Sequence, residues 1–287
     1  MPVIAVVNRK GGSGKSTLAA HLAVWCARQG HAVMLGDVDR QQSSRGWLRR
    51  RDPQLPAIAP WAVDQTNMLR VPAGITHAVL DTPGGLHGFE LARLVMAADA
   101  ILMPVCDSVF DRDSAAACHE ELMALPKVAD GRCHFAAVGM RVDGRTRAAE
   151  NLRAWAAEQK IPMVGTLRET QLYVKSLERG LTLFDLPASQ VAADMAQWEA
   201  ILDWLRPVVA PAAPAAVKTP HRLAPTLAAA LRKEARPAQE PVVPVTPVTR
   251  LSVLDARRMQ GKEVVPEPML APTVASGAPV PLFLRQA

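Results

Sequence analysis

Two lysines, three glycines and three hydroxyl residues fall within eight positions near the start of the chain, Lys10-Gly11-Gly12-Ser13-Gly14-Lys15-Ser16-Thr17. Glycines lack a Cβ, so a run of them lets backbone N–H groups converge on a bound anion. Lys15 adds the charge that neutralises β- and γ-phosphates, and the Ser16 hydroxyl suits a Mg²⁺ ligand. The chemistry is that of binding a nucleoside phosphate. The general phosphate-loop pattern, G-x-x-x-x-G-K-[ST], puts four residues between its glycines. Here Arg9 stands where the first of those glycines would be. The physics is preserved by Gly11, Gly12 and Gly14.

Such a loop works only between a strand and a helix. Val3 to Val7 is a short apolar run rich in β-branched residues, as a strand buried on both faces requires. A helix is expected from about Ser16 to Arg28, with Leu18, Leu22, Trp25 and Cys26 at helical spacing and Gly30 beyond its end. Its N-terminus would point at the same anion. Further strands are expected at His31–Leu35, Ala78–Leu80, Ala100–Val105, Phe135–Met140 and Met163–Thr166. Helices are expected at Asp113–Leu125, Arg147–Gln159 and Val191–Leu205. Alternating strands and helices make this an α/β domain with a mainly parallel sheet.

The loop resembles the deviant Walker A box of the ParA/MinD family of P-loop ATPases. Leu35-Gly36-Asp37-Val38-Asp39-Arg40-Gln41 resembles that family's switch I, with Arg40 in place of a proline. Ala78-Val79-Leu80-Asp81-Thr82-Pro83 resembles its Walker B and switch II segment, and Gly84 stands where a second proline is common. Pro104 to Asp111 is similar to P-V-x-P-S-x-x-D, with Asp107 for the second proline. Val142 to Thr146 resembles the D-x-R-T segment. Arg168, Tyr173, Ser176 and Gly180 keep the spacing of a later pattern.

The resemblance covers about residues 2–206. It implies a P-loop NTPase fold, a twisted parallel sheet flanked by helices, that hydrolyses ATP with Mg²⁺. It implies that residues 10–17 bind the nucleotide and that Lys10, Lys15 and Asp39 are catalytic. Lys10 would reach the partner's phosphates across an ATP sandwich dimer, as an arginine finger does. Asp39 would position or activate the attacking water. Ser16, Asp37 and Asp81 would lie in or near the metal shell. A carboxylate at the C-terminal end of a buried strand faces the ligand crevice, which suits Asp81.

Charge and proline are unevenly placed. The chain of 287 residues has a net charge of +6, and 13 of its 24 prolines lie beyond residue 208. That segment carries 10 Lys and Arg against 5 Asp and Glu, so nearly all the surplus sits there. Dense proline forbids long helices and central strands. The expected division is an ATPase domain, 1–208, and a basic, mostly disordered Pro/Ala-rich tail, 209–287. Pro225–Arg236 and Leu251–Met259 are its two stretches with helical potential. Cys26, Cys106, Cys118 and Cys133 form no C-x-x-C pair and read as reduced thiols, not zinc ligands or disulfides. The N-terminus has no basic and apolar leader, and no apolar run reaches the ~20 residues of a membrane span, so the expected compartment is the cytoplasm.

Arg168, Lys175 and Arg179 stand either as a solvated basic face or as contacts to DNA. ParA-type members bind DNA there without sequence preference, by salt-sensitive phosphate contacts. Arg145 and Arg147 are weaker candidates, and Arg45 and Arg49-Arg50-Arg51 read as surface. The expected function is therefore partition or positioning. An ATP dimer binds nucleoid DNA, a ParB-like or cargo-adaptor protein stimulates hydrolysis, and a plasmid, chromosome region or other cargo is segregated. A MinD-like membrane cycle is the alternative, but Pro225–Arg236 offers only Leu227 and Leu231 to lipid. A related amidotransfer synthetase or iron–sulfur reductase would need a further domain or paired cluster cysteines.

Overall fold

The structure is a computed structural model that describes residues 1–38, 42–62 and 71–210. The chain runs β1 (Val3–Val6), α1 (Lys15–Arg28), β2 (Val33–Asp37), α2 (Ser43–Leu48), β3 (Ile58–Ala62), β4 (His77–Asp81), α3 (Gly88–Ala97) and β5 (Ala100–Val105). It continues through α4 (Val109–Met123), α5 (Pro126–Ala129), β6 (His134–Val142), α6 (Ala148–Glu158), β7 (Met163–Arg168) and α7 (Gln171–Glu178). A 3₁₀ turn, Leu183–Asp185, then leads to α8 (Ala188–Val209). Among the described residues the seven strands form one sheet in the order β3-β2-β4-β1-β5-β6-β7. Every neighbouring pair is parallel.

Parallel sheets must be covered on both faces, and side-chain alternation divides the core accordingly. From β1 and β5, Ile4, Val6, Ala100 and Leu102 pack in one layer with residues of α1, α7 and α8. Ala5, Val7, Ile101, Met103 and Val105 pack in the other with α3, α4 and α6. The centre of the sheet is thus β1, flanked by β4 and β5, and the crevice where connections diverge opens at its C-terminal end. That is where an α/β sheet binds ligands.

The expected strands and helices are all present, with small shifts of their ends. The second strand begins at Val33 rather than His31. Five elements are not placed from the sequence: α2, β3, α3, α5 and α7. Pro60 lies inside β3, which reads against a strand. The residue is tolerated because β3 is an edge that pairs only with β2. α1 is buried on more than its expected stripe, including Ala19, Ala20, His21, Ala23 and Val24, because α8 and the 3₁₀ turn cover its outer side. α8 carries Trp198, Ile201, Leu202 and Leu205 into the core as expected. It runs through Pro207 to Val209, which is itself buried. The tail from residue 211, with Pro225–Arg236 and Leu251–Met259, lies outside the described residues, as do Asp39, Arg40 and Gln41.

Candidate functional site

The loop after β1 is fixed by three polar groups, two of which lie outside its motif. Asn8 is fully buried. Its amide nitrogen donates to the Pro104 carbonyl at 2.6 Å, and its oxygen accepts from the Lys10 N–H at 2.9 Å. The loop is thereby tied to the end of β5. The Thr82 hydroxyl donates to the Val6 carbonyl at 2.7 Å, joining the ends of β1 and β4. The Ser13 hydroxyl donates to the Lys10 carbonyl at 3.3 Å.

Gly14 caps α1 in the left-handed region, with φ of 97°. A Cβ there would also lie 2.8 Å from the Met140 methyl, so no other residue fits without displacement. Gly84 is required by close approach instead. A Cβ on it would stand 3.2 Å from the Gly11 nitrogen and 3.3 Å from the Gly11 Cα. The segment after β4 therefore rests directly on the phosphate loop, and the Gly85 N–H donates to the Arg9 carbonyl. Together Gly11, Gly12, Gly14, Lys15, Ser16 and Thr17 line a cavity of about 470 Å³, completed by Ser43, Pro83, Gly84 and Arg141.

The two lysines of the loop face different surroundings. Lys15 is buried, and its Nζ donates to the Lys10 carbonyl at 2.9 Å. The Lys10 side chain is 35% exposed and pairs with Asp111 at 2.9 Å. Asp111 lies in the first turn of α4, whose N-cap is Ser108.

Asp37 and Asp81 are register partners at the ends of β2 and β4. Both are buried and both reach the start of α2. Asp37 Oδ2 accepts from the Arg45 N–H at 3.0 Å, and the Ser44 hydroxyl donates to Asp81 Oδ2 at 2.5 Å. Burial pushes the Asp81 carboxyl up to about 6. The neighbouring Asp37 charge adds to that rise, while the Ser44 and Ser16 hydroxyls and Lys15 oppose it. Its second oxygen, Oδ1, is buried without a hydrogen-bond partner. An orphaned carboxylate oxygen beside a second carboxylate and the Ser16 hydroxyl has the chemistry of a hard-cation site. No cluster of three metal-ligating side chains occurs among the described residues. Mg²⁺ needs none, since it takes one or two protein oxygens and completes its shell with phosphates and water.

The expected basic residues separate. Lys175 and Arg179 are exposed on and just after α7. Arg168 keeps a side chain 41% exposed but is paired within the fold. Its guanidinium forks onto fully buried Asp194 of α8 at 2.7 and 3.0 Å, so its charge is neutralised within the fold. Arg145 and Arg147 pair with Asp143 and Glu150. Arg51, expected at the surface, is buried at its side chain and forks onto Asp185 at 2.9 and 3.1 Å. Burial opposes ionisation of Asp185, yet Arg51 and the Thr182 N–H and hydroxyl together hold its carboxyl below the ordinary range. The four cysteines are free thiols, three of them buried. Asn8, Ser44 and Arg141 went unnoticed in the sequence as contributors to the site. They belong to no spacing rule and are brought there by the sheet.

The family model described as the CobQ/CobB/MinD/ParA nucleotide binding domain matches residues 4–184. The chain is similar to the maintenance of carboxysome distribution protein A of Gloeobacter kilaueensis, 36% identical over 114 residues. That match covers 38% of this chain and spans about half, 51%, of the relative. It is 26% identical over 199 residues to the protein of the same name from Halothiobacillus neapolitanus, covering 67% of this chain and 91% of that one. In fold it is similar to the structure of a variant of Cyanothece McdA in complex with ATP, with a TM-score of 0.57 at 16% identity, over 70% of this chain and 96% of that one.

Proposed function

The chain belongs to the CobQ/CobB/MinD/ParA nucleotide-binding family, and from that premise we propose that it is a ParA-like positioning ATPase. It binds ATP and Mg²⁺, dimerises around the nucleotide, and holds DNA without sequence preference. Hydrolysis stimulated by an adaptor protein releases it, and a large cargo is distributed. The naming of two relatives for carboxysome distribution supports a positioning role. No helix among the described residues is long and apolar enough to cross a membrane.

The observation that carries the reading is the division of labour between Lys10 and Lys15. Lys15 serves its own cavity. Lys10, on the same loop, stands partly exposed against α4, where its ammonium is held by an ion pair with Asp111. An ion pair of that exposure contributes ~1 kcal/mol or less, so exchanging Asp111 for a second protomer's phosphates is inexpensive. A cation delivered across the dimer stabilises charge developing at the γ-phosphate.

Within one protomer, backbone N–H groups of residues 11–16 and Lys15 would hold the phosphates. Ser16 and Asp81, with Asp37 behind them, would hold Mg²⁺, which neutralises phosphate charge when bound. Asp39 is assigned to the attacking water. Lys175 and Arg179 are assigned to DNA phosphates, and Arg168 to bracing β7 against α8.

Sedimentation of the full chain with Mg²⁺ and ATP or ADP tests the dimer. Wild type is expected to dimerise with ATP alone. Asp39→Ala is expected to bind ATP and remain dimeric for longer, and Lys10→Ala to bind ATP as a monomer. An ATP-dependent dimer unchanged in Lys10→Ala would overturn the trans role of that lysine.

A further inference from the structure

Arg141 sits in β6 where the strand departs from regular pairing with β7, between the pairs Gly139↔Thr166 and Val142↔Arg168. Its φ is 53°, in the left-handed region that a side chain with a Cβ avoids. Such a conformation persists where surrounding structure imposes it, and it turns the side chain out of the sheet's alternation. The residue lines the phosphate-loop cavity together with Ser43, Pro83 and Gly84. It also lines a smaller, largely apolar slot of about 120 Å³ formed by Met140, Leu167, Tyr173 and Val174. Gly14, Thr17 and Arg141 are common to both spaces, so Arg141 stands at their junction.

Its neighbours around the site differ from it in one respect. Arg9 pairs with Glu121, Arg145 with Asp143 and Arg168 with Asp194. No hydrogen bond or ion pair among the described residues engages the Arg141 side chain. An always-charged fork with five donors, unpaired at the mouth of an anion-binding loop, is suited to phosphate oxygens. A merely solvated arginine would need neither the left-handed backbone nor this position.

We propose that Arg141 is a second cation of the nucleotide site, supplied by the same protomer, and that its guanidinium donates to the nucleotide's phosphates from the end of β6. The inference rests on the nucleotide-binding reading above. It makes phosphate affinity depend on two fixed charges and gives the β6 irregularity a purpose.

The test is titration of the full-length chain with ADP–Mg²⁺ and with inorganic pyrophosphate. Wild type is compared with Arg141→Gln, Arg141→Lys, Arg141→Gly and Lys15→Ala. Loss of one charge-assisted contact is expected to weaken ADP about tenfold or more in Arg141→Gln. Arg141→Lys, which keeps the charge but not the fork, is expected to lose less. Pyrophosphate affinity should fall in parallel. Arg141→Gly relieves the left-handed strain, so its melting temperature should equal or exceed that of wild type while ADP binding falls. ADP affinity within about twofold of wild type in Arg141→Gln would overturn the proposal. So would unchanged pyrophosphate affinity beside weakened ADP, which would move the contact to the nucleoside. If wild type binds ADP and Lys15→Ala does not, a neutral Arg141→Gln result removes Arg141 alone. If wild type itself binds no ADP, the nucleotide reading fails with it.

Discussion

Lys15 and Asp185 are charged groups taken out of water for opposite purposes. Lys15 is buried at a loop built to receive an anion, so its removal should show in binding rather than in folding. Lys15→Ala is expected to lose ADP and ATP binding by at least ~100-fold, read by titration, with little change in melting temperature. Retained affinity would remove the residue from its role. Asp185 is buried with Arg51 and the Thr182 donors, outside the phosphate-loop cavity. Breaking a buried pair leaves an uncompensated charge and costs ~3–5 kcal/mol. Asp185→Ala is therefore expected to lower the melting temperature by roughly 6–20 °C in a domain of this size. Nucleotide affinity below the new melting temperature should be nearly unchanged. A variant as stable as wild type would show that the pair adds nothing.

At the scale of elements, α1 is locked by one histidine. The His21 Nδ1–H donates to the Thr17 carbonyl at 2.8 Å, and Nε2 accepts from the Leu183 N–H at 3.2 Å, which sets the tautomer. The ring stacks on Trp198 and meets Tyr173 and Phe184 edge-on. Burial lowers its pKa from 6.5 to about 4, against smaller raising effects of Thr17 and Asp185. Between those values the unfolded chain binds the proton and the folded one does not. The stability is therefore fully present above about pH 6.5 and is lost as pH falls towards 4. At ~1.4 kcal/mol per pK unit, acidification from about pH 7.5 to about pH 5 should cost about 2 kcal/mol through this group. Urea unfolding at the two pH values should show that loss in wild type and not in His21→Gln. An equal pH dependence in both would rule out His21 as its source.

The same scale explains what could be read in advance. Short apolar runs revealed β1, β2, β4, β5 and β6, and the loop motif stood at a strand–helix junction. Pro60 concealed β3, and a six-residue helix with an internal glycine, Ser43–Leu48, concealed α2. Periodicity also could not tell that Arg168 and Arg51 find buried carboxylates 26 and 134 positions away. Charge in a sequence reads as surface until the fold brings its partner. Asn8 and Ser44 were equally illegible, because their contacts to Pro104 and Asp81 exist only once β1, β4 and β5 lie in order, and Arg141 joins the cavity lining only once β6 is in the sheet.

At the scale of the molecule, one face offers Lys10 beside α4, and another offers Lys175 and Arg179 near α7. If the positioning reading holds, nucleotide state couples the two, because only the dimer doubles the basic surface that meets DNA. The most direct measurement is binding of the full chain to a non-specific duplex with no nucleotide, ADP–Mg²⁺ and ATP–Mg²⁺, each at two salt concentrations. The account expects binding with ATP alone, weakened steeply by salt as phosphate contacts are. It expects Lys175→Ala with Arg179→Ala to reduce that binding, and Arg168→Ala to change it only as far as folding suffers. Absence of DNA binding in every nucleotide state, or equal binding in all three, would contradict it.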